Sequence, residues 1–308
     1  MKQKLFLSSI IMLSFLAIAQ TNILELPQLE ALSNNKKPVI FASTSIIADV
    51  VSNIAGDNIE LNTLIAKGQD PHSFQLSARR LSQAAKADVI FVNGWDLEEN
   101  LIKNLENIAD PKTLIPVSAG IVAIETNSSE HGNVDPHVWF SIDNVVLWAK
   151  NIAQILKQID PERSESYDNN LKQYLEKLAD LKTYSQTEIS KIAAEKRILV
   201  TNHNSFAYFA RNYGFRNYSI INSVSNLAEP SARDLAKLIK TLNDKHICTI
   251  FSEVGSSDKL AKLVSSELKC SNKKILPLFT GSLSQDSSAD SYIKMYKANL
   301  DNIVLGLK

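Results

Sequence analysis

The chain has 308 residues, is 44% hydrophobic and carries 33 basic against 33 acidic residues, a formal net charge of +0. That length suits a leader and two compact lobes, since domains cluster near ~100–150 residues. The balanced charge argues against nucleic acid or an anionic membrane surface as the principal partner.

Residues 1–19 read as an export signal. Lys2 and Lys4 form a short basic start, Leu5 to Ala19 is an almost unbroken apolar run, and Ala17-Ile18-Ala19 gives a peptidase site with Gln20 as the mature start. The run is short for a membrane span, and no cysteine near the cleavage site offers a lipid anchor. Loss of Lys2 and Lys4 takes 33 basic residues to 31 against 33 acidic, a net of −2. A soluble, monomeric, periplasmic protein is the expected product.

From Pro38 onward strands and helices alternate. Val39-Ile40-Phe41-Ala42 suits a buried strand, and Ile46, Ile47, Val50, Val51 and Ile54 follow at helical spacing. Strands at 57–65, 89–92 and 114–117 enclose helices at 76–87 and 97–108. Such alternation implies parallel strands with helical crossovers. A helix over 144–159 completes a first α/β lobe, residues 38–159. Asp160-Pro161 then opens a stretch to about Lys196 without proline or glycine, with Tyr167, Leu171, Tyr174, Leu175, Leu178, Leu181 and Ile189 on one face. A helix of about 35 residues would reach near 50 Å and is best placed as a linker, residues 160–196, between two lobes. In the second lobe, residues 197–308, strands are expected at 198–201, 247–252 and 275–279. Its helices are expected at 205–213, 231–243, 258–268 and 291–307.

The cysteines, Cys248 and Cys270, are the only two. In an oxidising compartment they read first as one disulfide, with a pair of free buried thiols as the alternative.

Three of the five histidines occupy telling positions. Asp70-Pro71-His72 and Asp135-Pro136-His137 repeat one triplet, and Thr201-Asn202-His203 ends a strand ahead of a helix. Ligands of α/β sheets bind beyond the carboxyl ends of strands, where at least two of these lie. Imidazole suits zinc and other late first-row ions. Proline beside a histidine stiffens its loop, and the aspartate before it can accept the second ring N–H or cap the turn. For any one histidine a hydrogen-bonded loop residue is the plainer reading; the trio argues for a metal. His131, in a polar run, and His246, at a strand entrance, are left outside the site.

The stretches Gly68-Gln69-Asp70-Pro71-His72-Ser73-Phe74, Ala87 to Gly94, Asp135-Pro136-His137-Val138-Trp139, His203 to Ala210, Glu229-Pro230-Ser231 and Tyr292 to Ile303 resemble the cluster A-I periplasmic solute-binding proteins of zinc and manganese ABC importers, the ZnuA- and TroA-like family. The resemblance runs from Pro38 to Lys308. It implies two lobes, each with a mostly parallel four-stranded sheet flanked by helices, joined by one long backbone helix. It also implies metal held by His72, His137 and His203, and delivery to a membrane permease coupled to a cytoplasmic ATPase.

Two departures stand out. The family often adds a carboxylate ligand from the loop after the last strand, but here that loop reads Phe279-Thr280-Gly281-Ser282-Leu283. Water, Glu253 or Asp286 are the candidates for a fourth ligand. The long histidine-rich loop of many zinc-importer proteins is reduced to Glu130-His131. Manganese-preferring relatives tend to carry a carboxylate where His203 stands. Three neutral imidazoles therefore favour zinc, with manganese or iron as alternative cargo. Three histidines plus water is also the first shell of a zinc hydrolase, but no H-E-x-x-H motif occurs, and a non-enzymatic carrier is expected. A structural zinc in a surface-binding protein is the third class.

Overall fold

The computed structural model describes residues 23–33, 36–107, 110, 113–126, 134–225 and 227–308. The expected leader and His131 lie outside the described residues. In the first lobe, β1 (Val39–Ala42), β2 (Glu60–Thr63), β3 (Val89–Val92) and β4 (Leu114–Pro116) form a parallel sheet in the order β2-β1-β3-β4. Central β3, Val-Ile-Phe-Val, is buried throughout, as a parallel strand covered on both faces must be. Helix α1 (Ser45–Ala55) begins where the Thr44 hydroxyl accepts the Ile47 N–H at 3.2 Å, and it turns Ile46, Ile47, Val50, Val51 and Ile54 onto the sheet. Helices α2 (Ala78–Ala84), α3 (Glu99–Glu106) and α4 (Ile142–Ile159) complete the lobe.

The second lobe repeats the plan. Strands β5 (Ile198–His203), β6 (Arg216–Ile221), β7 (Thr249–Glu253) and β8 (Lys274–Leu278) run parallel in the order β6-β5-β7-β8. In each sheet the first strand has its two sequence successors on opposite sides. That creates a crevice at the carboxyl ends of β1/β3 and of β5/β7 where ligands bind in such folds. Strand β6 has no counterpart among the strands expected from the sequence. It is an edge strand reading Arg-Asn-Tyr-Ser-Ile-Ile, and only Ile220 and Ile221 are buried, so no apolar run announces it.

Between the lobes, a 3₁₀ turn at Pro161–Arg163 leads into α5 (Ser164–Ser190), 27 residues long, or about 40 Å. It stops short of the Lys196 expected from composition. Thr187 and Ser190 turn their hydroxyls back onto carbonyls of the preceding turn, a competition that weakens a helix end. The face carrying Tyr167, Tyr174, Leu178, Leu181 and Ile189 is buried, and the helix packs on α1 and α4 of the first lobe and on the last helix, Tyr292–Leu307, of the second. Polar ties reach both ways: Asn170 donates to the Ile54 carbonyl at 3.0 Å and the Tyr184 hydroxyl to Asp301 at 2.8 Å.

The main hydrophobic core is continuous through both lobes. At the seam the Phe140 and Phe206 rings stack with centroids 4.1 Å apart. The Tyr292 hydroxyl donates to the Trp139 carbonyl, Trp139 Nε1 to the Thr280 carbonyl, and the Tyr208 hydroxyl to the Asp135 carbonyl. A wide swing of the lobes would expose these rings and orphan these bonds, a cost that opposes it. Cys248 and Cys270 are joined, tying the entrance of β7 to the segment ahead of β8. Among the described residues no helix is long and apolar enough to cross a membrane.

Candidate metal centre

The crevices of the two sheets meet, and two loops and the end of β5 bring the three histidines into the gap. After β2, Asp70 folds back as a turn cap: its Oδ1 accepts the His72 N–H at 3.1 Å and its Oδ2 the Ser73 hydroxyl at 2.9 Å. The second triplet is built alike but tighter. Asp135 Oδ1 accepts both the His137 N–H at 2.9 Å and its ring Nδ1 at 2.8 Å. Asn93, at the end of β3, donates to the Pro136 carbonyl at 3.0 Å and anchors that loop to the sheet. His203 is the last residue of β5, and Glu253 the last of its neighbour β7. Glu253 Oε1 accepts the His203 N–H at 3.0 Å and its Nδ1 at 2.6 Å.

With the Nδ1 atoms of His137 and His203 engaged, their Nε2 atoms turn into the gap. His137 Nε2 lies 3.2 Å from Nε2 of His72 and 3.2 Å from Nε2 of His203. The ligand atoms of all three lie within 4.8 Å of one another. Nitrogens bound to one tetrahedral zinc at ~2.0–2.1 Å stand roughly 3.3–3.4 Å apart, so the spacing fits a single small cation. All three rings are nearly out of solvent: His72 is 9% exposed, His137 1% and His203 2%.

The electrostatics of the two supported histidines differ. Burial holds His137 well below the ordinary imidazole range, with the nearby His203 adding to it, so its ring stays neutral and ready to ligate. Burial also works against a charged His203, but the Glu253 carboxylate and its hydrogen bond, with Asp70 and Asp135 beyond, outweigh it and raise the His203 pKa. Glu253 answers in kind: burial pushes it up, His203 pulls it down, and the net shift is downward. Burial lifts Asp135 to about 7 against the His137 amide. A carboxylate behind a ligating imidazole fixes the tautomer and strengthens the donor. Glu253→Gln is expected to weaken metal binding 10- to 100-fold, measured by competition against a chromogenic chelator. An unchanged affinity would leave that carboxylate without a role in holding the ion.

Among the described residues, His72, His137 and His203 are the one group of three or more metal-ligating side chains. Glu253 and Asp286 do not join it: Glu253 stands behind His203, and Asp286 is exposed, next to Ser284. His246 sits apart, exposed, in a left-handed turn (φ 53°) before β7. Sequence reasoning missed the backing role of Glu253, which needed the β5–β7 pairing to be seen. It also missed Glu98, 1% exposed, whose Oε1 accepts the Ser43 hydroxyl at 2.5 Å and the Asn93 N–H at 2.9 Å, bracing the ends of β1 and β3. Burial raises Glu98 to about 7.

Two parallel-sheet lobes packed on one long helix and closed over a buried three-histidine cluster are the frame of a metal-binding protein, and the family the chain matches makes it the solute-binding component of an ABC importer. The chain belongs to the family described as zinc-uptake complex component A, periplasmic, whose model matches residues 40–306. It is 35% identical over 288 residues, 90% of this chain and 91% of the relative, to the manganese ABC transporter substrate-binding lipoprotein PsaA of Streptococcus mitis. It superposes on the periplasmic zinc-binding protein TroA of Treponema pallidum with a TM-score of 0.81 at 28% identity, covering 88% of this chain and 99% of that one. The Mn-bound periplasmic metal-binding protein of Candidatus Liberibacter asiaticus gives 0.78 at 33% identity, covering 89% and 100%, and its Cd-bound form also gives 0.78.

Proposed function

We propose that this protein captures zinc in the periplasm on His72, His137 and His203 and delivers it to a membrane permease coupled to a cytoplasmic ATPase. Export by residues 1–19 and work as a monomer belong to the same reading. So does a division into lobes 38–159 and 197–308 about a linker 160–196. The observation that carries the cargo assignment is a donor cluster of three imidazoles with no carboxylate in it. Zinc is content with nitrogen donors, whereas manganese gains more from anionic oxygen. Manganese is the second reading, favoured by the PsaA relatives' names and by the Mn-bound neighbour.

Elemental analysis of protein taken from its native periplasm, followed by competition titration, tests the reading. Zinc as the dominant metal, with tighter binding than manganese, is expected; manganese in excess on both counts would replace zinc as the cargo. Metal-loaded protein should stimulate the importer's ATPase in vesicles and should turn over no ester substrate.

A further inference from the structure

We propose that the pole of the second lobe opposite the metal adheres to an anionic phospholipid surface and holds the protein near a membrane with its cleft free. The inference goes beyond the metal-capture reading and holds for any cargo ion. Parallel strands send their amino ends to one face of the lobe. Arg216 and Lys274 are the first residues of β6 and β8. Lys196 stands just ahead of β5 and Lys245 just ahead of β7, and both line one hollow beside the entry of β7. Lys269 and Lys273 lie in the stretch leading into β8, where the Lys269 N–H donates to Asn243 Oδ1 at 2.6 Å. All six are exposed, against Glu195, Asp244 and Glu267 nearby. Asp244 is already paired with Lys240. Elsewhere Lys36, Lys103, Lys157 and Lys182 each hold a carboxylate; among the described residues none of these six does.

Helix carboxyl ends also gather at this pole, and cations are drawn to them. Lys273 and Lys274 donate to the Ser266 and Leu305 carbonyls at 2.9 Å. Helix ends do not account for the excess, because the first lobe has the same strand order and carries no such excess at its own pole. There Lys36, Lys37 and Lys86 meet Asp57, Glu60 and Asp88, and Lys36 pairs with Asp88 at 3.5 Å. The formal net charge of +0 therefore conceals a separation of charge. Its local field acts within a Debye length, ~10 Å at 0.1 M salt. Leu305 points to the kind of partner: it is 60% exposed, and Lys274 holds its carbonyl. Flexible lysines around an exposed apolar side chain match a headgroup layer, where the leucine can sink while the lysines meet phosphates. A compact ligand would need converging groups in a pocket. The six residues of β5 separate this pole from His203, a length of ~20 Å, so adhesion leaves the metal cleft uncovered.

Flotation with vesicles of equimolar phosphatidylglycerol and phosphatidylcholine tests this on the exported protein. Wild type should float with them at low salt and stay behind with phosphatidylcholine alone. It should be released at ~1 M salt, where the screening length falls to ~3 Å. Each lysine removed should cost about fivefold in partition, so Lys245→Ala/Lys269→Ala/Lys273→Ala should lose about a hundredfold. Leu305→Ser should weaken partition while leaving its salt dependence in place. Zinc affinity should stay at the wild-type value in both. Lys36→Ala/Lys37→Ala/Lys86→Ala, on the matching pole of the first lobe, should float as wild type does. No flotation at low salt, flotation indifferent to salt, or equal losses from the two triple variants overturns the proposal. So does sedimentation with peptidoglycan in place of vesicles. Salt release of wild type needs no substitution, so a variant that misfolds does not shield the proposal. Loss of zinc binding with flotation intact would remove the capture reading alone.

Discussion

Replacing His137 with alanine lowers zinc affinity by at least about a thousandfold, because loss of a ligand costs more than the 10- to 100-fold typical of losing a ligand's supporting group. His137 is the central donor, 3.2 Å by Nε2 from each of the other two rings. Without it, His72 and His203 remain as a two-point site that a small ion can leave easily. The fold should persist. The loop stays anchored by Asn93 on the Pro136 carbonyl and by Tyr208 on the Asp135 carbonyl. Far-UV circular dichroism should therefore match wild type while a competition titration shows the loss. His131→Ala is the control and should leave affinity unchanged. Comparable losses from the two variants would mean the metal sits elsewhere.

The second large effect is release by acid. Zinc needs neutral imidazoles, so metal competes with protons for the same Nε2 atoms. Burial keeps His137 neutral, and its protonation is not the limiting event. His203 has the opposite tendency, raised from 6.5 because the Glu253 charge overcomes the burial penalty. Below that raised pKa, each further unit of acid should weaken binding by up to about tenfold, one proton displacing the metal at His203. The sign reverses for the metal-free protein. A raised histidine stabilises the fold below its unfolded pKa, and that gain is lost as pH rises through the folded value. The lowered Glu253 stabilises above its unfolded pKa and loses the gain as pH falls through its folded value. Calorimetric titration should show proton release rising toward one per zinc as the pH falls through that raised value. A flat affinity profile would mean that His203 does not ligate.

The alternation of Val39-Ile40-Phe41-Ala42, helix, Val89-Ile90-Phe91-Val92, helix is dense in β-branched and apolar residues at the right periods. Burial on both faces of a parallel sheet imposes that density, so these elements are legible before any fold is known. The long helix was legible for a different reason: the stretch from Glu162 to Lys196 holds neither proline nor glycine. Its end was not, because the apolar periodicity does not mark where the helix stops at Ser190 and a 3₁₀ turn at Ala194–Lys196 takes over. Strand β6 stayed hidden because an edge strand needs only a few buried side chains.

By itself, the sequence determined which residues carry metal chemistry. Imidazole donors are a matter of residue type, and two Asp-Pro-His triplets stiffen their own loops through local backbone geometry. The tertiary structure decided what those donors become. Glu253 is 50 residues from His203 and serves as its backing carboxylate only because β5 and β7 are neighbours. Pro71 and Gly281 meet only because the two lobes close on one another. Short-range covalent geometry is written in adjacent residues; the meeting of distant donors is set by which groups the packed core brings to one point.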